Sequence, residues 1–483
     1  MLSVLLLCPL IGMLVVLALP KTAVRAIRFV ALLASGLALA FAIQLFQFFR
    51  PQEAIQLVER IVWIPQMRIF YHVGVDGLSL PLVFLTVLLG FIACLASASI
   101  TERQKEYYAL YLLLEMGMLG TFMALDFFLF YVFWEVVLVP MYFLIGIWGG
   151  GRREYSAFKF FVYTLAGSLA ILLAILMLYF RTGTFDMVAL AQMGPLLEPD
   201  LQRLLFVAFF LGFAIKVPVF PFHTWLPDAH VDAPTPISVL LAGVLLKMGG
   251  YGFFRIAYPI CPEGAQWAAG AMAVLGMINI VYGAFVAMAQ TDFKKLVAYS
   301  SVSHMGFVLL GLASLQTEGV NGALLQMFNH GTITGGMFLL VGVLYDRAHT
   351  RDLNAFGGLG AHMPKFSGLL IFFGLASLGL PGLSGFVGEF LSLLGAFGVW
   401  RWQTVVSVLG IVVAAAYILT AIQRVLLGPP NERWKNLPDV NPREMASLIP
   451  LVVLILALGV YPLLLIDLQD GAVQQFIAHV KGP

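Results

Sequence analysis

Uncharged apolar runs of membrane-crossing length recur along this chain from end to end. The hydrocarbon core of a bilayer is about 30 Å thick and takes roughly 20 helical residues to cross. By that measure about fourteen stretches qualify. They cover residues 2–20, 27–49, 76–98, 107–124, 127–148, 156–180, 203–222, 236–258, 265–289, 295–314, 320–346, 366–398, 404–427 and 446–466. Composition agrees: 61% of the residues are hydrophobic and 11% charged, against about 25% charged in an average soluble domain. The expected fold is an all-α polytopic membrane protein. The first run, Leu2 to Leu19, has no basic stretch ahead of it and reads as a retained helix, not a cleaved signal.

Two of the runs are interrupted. Phe213-Ala-Ile-Lys216-Val-Pro218-Val-Phe-Pro221-Phe-His223 sets a lysine in an apolar stretch and then breaks it with two prolines. Proline removes a backbone donor and clashes with the preceding turn. At membrane depth such a break is tolerated only where protein or a wet cavity takes up the freed groups. The run at 366–398 is too long for one straight helix, and its middle, Leu380-Pro381-Gly-Leu-Ser-Gly385-Phe-Val-Gly-Glu389, adds a carboxylate. The breaks fall in the seventh and twelfth spans, five apart, so the two helices run in opposite directions. That is the geometry of two inverted five-helix repeats, each with a discontinuous helix. The predicted division is residues 1–106 for the first three helices, 107–258 and 259–427 for the repeats, and 428–483 for a cytoplasmic loop and a fourteenth helix.

Loops near residues 21–28, 103–105, 152–159, 294–295, 347–365 and 424–443 carry most of the 27 Lys and Arg, which places that face in the cytoplasm. With an even number of spans, both termini face outward. Lys216, Lys247 and Arg255 are left inside spans. The net charge of +2 gives no sign of nucleic-acid binding. Cys8, Cys94 and Cys261 form no CxxC pair, which argues against a zinc or iron–sulfur site. Neither GxGxxG in a βαβ unit nor GxxxxGK[ST] is found, so no nucleotide site is expected.

The chemistry rests on charges where charges are costly. A charged residue at the bilayer centre costs roughly 2.5–3.5 kcal/mol on insertion scales. Glu135, about two turns into its span, needs a proton or a cationic partner, and Lys216 is the natural one. Proton handling and a structural ion pair are both open for these two. Lys247, in Leu246-Lys247-Met248-Gly249-Gly250, stands under the same two readings, and its glycines admit close approach of another backbone. Glu115 is a relay carboxylate or a contact to a neighbouring subunit. His304 and His330 lie between the two charged centres in sequence. Each is a relay or a satisfied core histidine, and imidazole gains and loses a proton near neutrality. Lysine, carboxylate and imidazole together point to proton movement. No metal site is expected.

Lys216-Val-Pro218-x-x-Pro221-Phe-His223-x-Trp225-Leu-Pro227-Asp228-Ala-His230, followed by Ala233-Pro-Thr-Pro236, resembles the signature of the antiporter-like membrane subunits of respiratory complex I. Tyr131-x-x-Trp134-Glu135, Lys247-x-Gly249-x-Tyr251-Gly252 and Ala298-Tyr-Ser-Ser-Val-Ser-His304-Met-Gly306 are similar to the same family, and the resemblance covers nearly the whole chain. L-type and N-type members, and many Mrp-type ones, usually carry lysine at the position of Glu389, and L-type members place a lysine after the histidine of Asn329-His330-Gly331. Glutamate in the first place and small polar residues in the second resemble the M-type subunits. The resemblance implies a pump module in the membrane arm of a proton-translocating NADH–quinone oxidoreductase, in a bacterial inner membrane. Its proton path would run through Glu135, Lys216, Lys247, His304, His330 and Glu389, with His223 and Glu115 as relay or interface residues. It implies no cofactor in this chain, with NADH, FMN, iron–sulfur clusters and quinone elsewhere in the complex, and L-type and N-type neighbours as partners. The competing readings are an Mrp-type cation/proton antiporter subunit, a membrane subunit of a ferredoxin-fed relative or an energy-converting hydrogenase, and a structural subunit whose charges only bind helices.

Overall fold

The computed structural model describes residues 1–482. The chain opens with α1 (Leu2–Ala18) and α2 (Val24–Phe48), then an antiparallel hairpin of β1 (Gln56–Ile64) and β2 (Ile69–Val75). Next come α3 (Leu80–Ala96), α4 (Gln104–Met123), α5 (Phe127–Trp148), α6 (Arg153–Thr182), the short α7 (Met187–Met193), α8 (Pro199–Lys216), α9 (Trp225–Asp232) and α10 (Thr235–Ile260). The second half holds α11 (Pro262–Met288), α12 (Phe293–Ser314), α13 (Thr317–Ala348), α14 (Pro364–Ser377), α15 (Ser384–Phe397), α16 (Arg401–Leu426), α17 (Pro442–Val460) and α18 (Leu463–Lys481). A helix lies at every expected span. Among the described residues, ten helices are long and apolar enough to cross a membrane, judged by length and composition.

The fold is mostly helical, as expected, with two additions, a short hairpin and a second C-terminal helix. The hairpin at 56–75 pairs Arg60 with His72 and Val62 with Phe70, and turns through Pro65–Met67. Helix α18 follows α17 after two residues. Its buried Leu465, Gln469, Ala472, Val473, Phe476 and Val480 recur at the three- and four-residue spacing of one helical face.

Helices α10 and α13 are buried along their apolar windows, and α12 nearly so. Close backbone approach explains this. A Cβ on Gly331 of α13 would sit 2.9 Å from the Gly243 carbonyl of α10. A Cβ on Gly249 would sit 2.8 Å from the Phe213 carbonyl and 3.0 Å from the Lys216 Cβ. The lysine-bearing end of α8 is thereby pressed onto the helix that carries Lys247.

Both interruptions fall where the prolines and glycines stand. Between α8 and α9, Asn279 of α11 accepts from the Phe220 amide at 2.8 Å and donates to the Pro218 carbonyl at 3.2 Å. The Trp225 indole N–H takes the Ile215 carbonyl at 2.8 Å. Between α14 and α15, Asn329 of α13 donates to the Ser384 carbonyl at 2.7 Å. Gly379 and Gly382 take positive φ there, +77° and +91°, a conformation glycine adopts without a Cβ penalty. Protein groups thus satisfy backbone that lipid could not.

One detail recurs in the two halves. Asp126 caps α5 and Asp186 caps α7, each accepting from amides of its own first turn. The two are joined as an antiparallel bridge, Phe127 N to Phe185 O at 2.8 Å and Met187 N to Leu125 O at 2.9 Å. Asp292 caps α12 and Asp352 caps the turn at Leu353–Ala355, with Phe293 N to Arg351 O and Leu353 N to Thr291 O, both at 2.8 Å.

Candidate functional site

The site is a row of buried polar side chains across the middle of the helices. It begins at Lys216, the last residue of α8, which is held there because the next turn cannot continue through Pro218. Its ammonium lies over the rings of Trp134 at 5.3 Å and Phe160 at 5.6 Å. A cation over an aromatic face away from water gains about 2 kcal/mol. The expected direct pair with Glu135 is not formed: among the described residues no ion pair within 4 Å joins them, and Glu135 Oε1 has no hydrogen-bond partner. Helix phase is the reason. Neighbouring residues on a 3.6-residue helix point about 100° apart, so with Trp134 facing Lys216, Glu135 turns to a half-buried flank beside Tyr131.

Lys247 is 0% exposed. Its Nζ donates to the Ala242 carbonyl at 2.5 Å and to His330 Nδ1 at 2.6 Å. Residues Leu241–Leu245 form a π-helical turn. Such a bulge loosens the i to i+4 ladder and is frequent at functional sites, and here the ammonium takes up a carbonyl five residues back. When Lys247 is an ammonium it has only protons to give; His330 Nδ1 then accepts and the ring's own proton sits on Nε2, which is buried and unpartnered.

The His304 ring lies 5.7 Å from that of His330, centre to centre. His304 Nδ1 meets Glu389 Oε1 at 2.9 Å, and Ser377 Oγ lies 3.4 Å from Nε2. Gln326 donates to the same carboxylate oxygen at 3.5 Å. A cavity of about 10 Å³ among His304, His330, Gln326, Ser377 and Glu389 is close to the space one water needs. The structure thus brings Lys247, His330, His304 and Glu389 together, with Lys216 one helix contact away.

Glu115 stands apart. It is 0% exposed, accepts from Ser35 Oγ at 2.6 Å and packs on Gly90. It lies among the first four helices and does not reach the chain surface. His223 is buried, with Nε2 at 3.2 Å from the Tyr282 hydroxyl and its ring against Phe220 and Tyr299.

Two residues escaped the sequence reading as site members. His230 is 0% exposed, both ring nitrogens lack partners, and the ring stacks on Phe338 at 4.6 Å. Lys294, counted among loop cations, is only 4% exposed and donates to the Ala233 carbonyl at 2.6 Å. It lines a cavity of about 270 Å³ with Asp232, Asp346 and Arg351 on the basic face. His230 was visible as part of a motif, and Lys294 follows an Asp-Phe helix start that looks like a surface cap.

A family model described as NADH:quinone oxidoreductase/Mrp antiporter, TM, matches residues 124–415, more than half of the chain. The chain belongs to this family. Subunit M of the NADH-quinone oxidoreductase of Rhodobacter capsulatus is 45% identical over 468 residues, covering 94% of this chain and 91% of that protein. NADH-ubiquinone oxidoreductase chain 4 of Marchantia polymorpha is 41% identical, covering 99% and 97%. A chain of respiratory complex I from Thermus thermophilus with bound NADH matches with a TM-score of 0.92 and 34% identity over the whole of both chains. The matched family segment holds both broken helices, both aspartate bridges and every residue from Glu135 to Glu389. The hairpin, α17 and α18 lie outside it.

Proposed function

We propose that this chain is the proton-translocating M-type subunit in the membrane arm of a bacterial NADH–quinone oxidoreductase, driven by NADH oxidation and quinone reduction elsewhere in the complex. On this reading NADH, FMN, iron–sulfur clusters and quinone belong to other subunits, L-type and N-type chains are the neighbours, and the bacterial inner membrane is the location. Residues 107–258 and 259–427 act as two inverted units, a division supported by the matching aspartate bridges. The observation that carries the reading is the buried row Lys247–His330–His304–Glu389, every member of which can hold or pass a proton.

Lys216 is the switching base, and Glu135 sets its affinity for protons. Lys247 passes protons to His330, and Glu389 is the terminal loading group. The cavity at Lys294 and Asp232 serves as the entrance on the basic face, with His230 between it and Lys247. Glu389→Gln keeps the size of the side chain, removes its charge and leaves an amide hydrogen bond to His304. It lowers proton pumping by complex in proteoliposomes while the complex still assembles. Full pumping in an assembled Glu389→Gln complex removes Glu389 from the path. Co-purification with flavin and iron–sulfur subunits separates this reading from an Mrp-type antiporter.

A further inference from the structure

Helix α10 has a cavity at each of its ends. Thr235 and Pro236 at its start line the cavity at Lys294 on the basic face. Arg255 and Pro259 near its other end line two further cavities, of about 200 and 190 Å³, which share Ile55, Ala191 and His479. One water needs about 10–15 Å³ of such space, so each has room for several. Their lining includes exposed Ala54, Gln192 and Gln475 at the surface and buried Asp76 inside. Twenty residues separate Thr235 from Arg255, roughly 30 Å at 1.5 Å per residue, which is about the thickness of the hydrocarbon core. These cavities therefore open on the face opposite the basic one. Lys247 stands between the two ends, eight residues from Arg255, or roughly 12 Å.

A set of direct contacts closes the inner end. Asp76 Oδ1 accepts from the Leu78 and Ser79 amides, both at 3.0 Å, which fixes the carboxylate at the start of α3. Its Oδ2 takes Arg255 Nη2 at 2.5 Å, and Arg255 Nε donates to the Tyr251 hydroxyl at 2.9 Å. Tyr251 is 1% exposed and meets Phe122 edge-on, ring centres 5.4 Å apart. It follows Lys247 by four residues, on the same face of the helix, so the aromatic layer and the ion pair lie between Lys247 and the cavities. Arg255 sits in a second π-helical turn, Phe253–Ala257. The stretch that carries Lys247 therefore has a loosened ladder on both sides. His479 of α18 donates to the Pro259 carbonyl at 2.8 Å and holds the outer wall to the end of α10.

We propose that the cavities at Arg255, Asp76 and His479 form a proton-exit vestibule for the first half of the chain, and that the Arg255–Asp76 pair is its gate. This rests on Lys247 lying in the proton path proposed above. The carboxylate is fixed by backbone amides, so opening means that the guanidinium swings into the space beside it. Water then reaches Lys247 from the vestibule. A proton leaves the ammonium for that water: one N–H bond breaks, one O–H bond forms, and the amine left behind is neutral. Asp76, freed of its partner, draws the hydronium outward. With the pair closed, its charges cancel and Tyr251 and Phe122 keep water from Lys247, which prevents a standing leak between the faces. Arg255 and Asp76 are positioning residues here, since neither carries the proton.

The test uses the whole complex. Ala191→Cys, which lines both cavities, is treated with a membrane-impermeant methanethiosulfonate in vesicles that expose one face or the other, with wild type as the background for Cys8, Cys94 and Cys261. The complex is then purified and reconstituted, and protons pumped per electron are read with and without label. The expected result is labelling from the face opposite the basic one only, with a severalfold lower ratio after labelling. Asp76→Asn keeps an acceptor for the two amides and removes the charge. Its expected result is a severalfold faster passive proton leak and a lower ratio, with the leak abolished by adding Lys247→Met. A pair that only joins helices would leave the leak unmoved. No labelling from that face, or labelling without a change in the ratio, overturns the vestibule. Wild-type leak and ratio in Asp76→Asn overturn the gate. Either failure with Lys247→Met impaired leaves the main row intact, whereas wild-type pumping by Lys247→Met overturns the underlying reading and this inference with it. If Asp76→Asn does not assemble, the labelling of Ala191→Cys decides.

Discussion

The open arrangement of Glu135 and Lys216 makes a quantitative prediction. The Lys216 ammonium sits 5.3 Å from the centre of the Trp134 ring, and Glu135 is beyond ion-pairing distance. With an effective dielectric of about 20, charges roughly 8 Å apart attract by about 2 kcal/mol, and at roughly 4 Å by about 4 kcal/mol. Closing the pair therefore strengthens proton binding at Lys216 by about 2 kcal/mol, or roughly 30-fold at 1.36 kcal/mol per decade. Glu135→Gln removes the attraction in both states and Lys216→Ala removes the base. Both lower proton pumping, and in the coupled enzyme both slow quinone reduction. Glu135→Asp keeps the charge on a shorter arm that closes less well, and retains an intermediate rate. The assay is pumping by assembled complex in proteoliposomes at fixed pH. Wild-type pumping in both Lys216→Ala and Glu135→Gln refutes the reasoning and leaves the two residues a structural role.

Gly249→Val places a Cβ 2.8 Å from the Phe213 carbonyl and from Val217 Cγ2, so it costs about 1–3 kcal/mol of overpacking and lowers the thermal midpoint of the purified complex; an unchanged midpoint shows the α8–α10 contact to be loose. Ser35→Ala leaves the buried Glu115 carboxyl without its one donor, at a cost of about 1–3 kcal/mol, and adding Glu115→Leu restores much of the thermal midpoint, since loss of both partners is nearly neutral; no recovery in the double variant shows that Glu115 contributes through other contacts.

The helices were legible because apolar length is a strong local signal, and both breaks were legible because Pro218, Pro221, Pro381 and Gly382 are local too. The hairpin was not seen, although Val-Glu-Arg-Ile-Val-Trp-Ile and Ile-Phe-Tyr-His-Val are strand-like. A search for runs of about 20 residues passes over strands of nine and seven. Asp467 and Asp470 hid α18 in the same way, since they interrupt the apolar run in sequence without ending the helix. Buried ionisable residues could be picked out singly by their surroundings, but their partners could not. Glu135 and Lys216 were matched as opposite charges inside spans, and only helix phase shows Trp134, not Glu135, facing the lysine. Lys247 meets His330 because Gly243 and Gly331 let α10 and α13 touch and because a π-turn frees Ala242. No residue type marks a π-turn in advance.

On the proposed reading, the interruptions in the row matter as much as its contacts. A pump that joined both faces by one unbroken chain of proton-passing groups would dissipate the gradient it builds. The chain has tight links at Lys247–His330, 2.6 Å, and His304–Glu389, 2.9 Å. Between them, the two imidazoles lie 5.7 Å apart, too far for a direct hydrogen bond, with a cavity of about one water beside them. With Lys247 an ammonium, His330 Nε2 has a proton to give and no acceptor. With Glu389 ionised, His304 donates through Nδ1 and keeps Nε2 to accept. One water in that cavity completes the link, and its loss breaks it. Lys216 and Glu135 form the second gap, closed by moving a side chain instead of a water. Both gaps lie next to the helix interruptions, at the ends of α8 and α14. Backbone there is held by Asn279 and Asn329, not by a continuous helical ladder, so small movements cost least. Control therefore resides in the broken helices, and the tight links between them conduct.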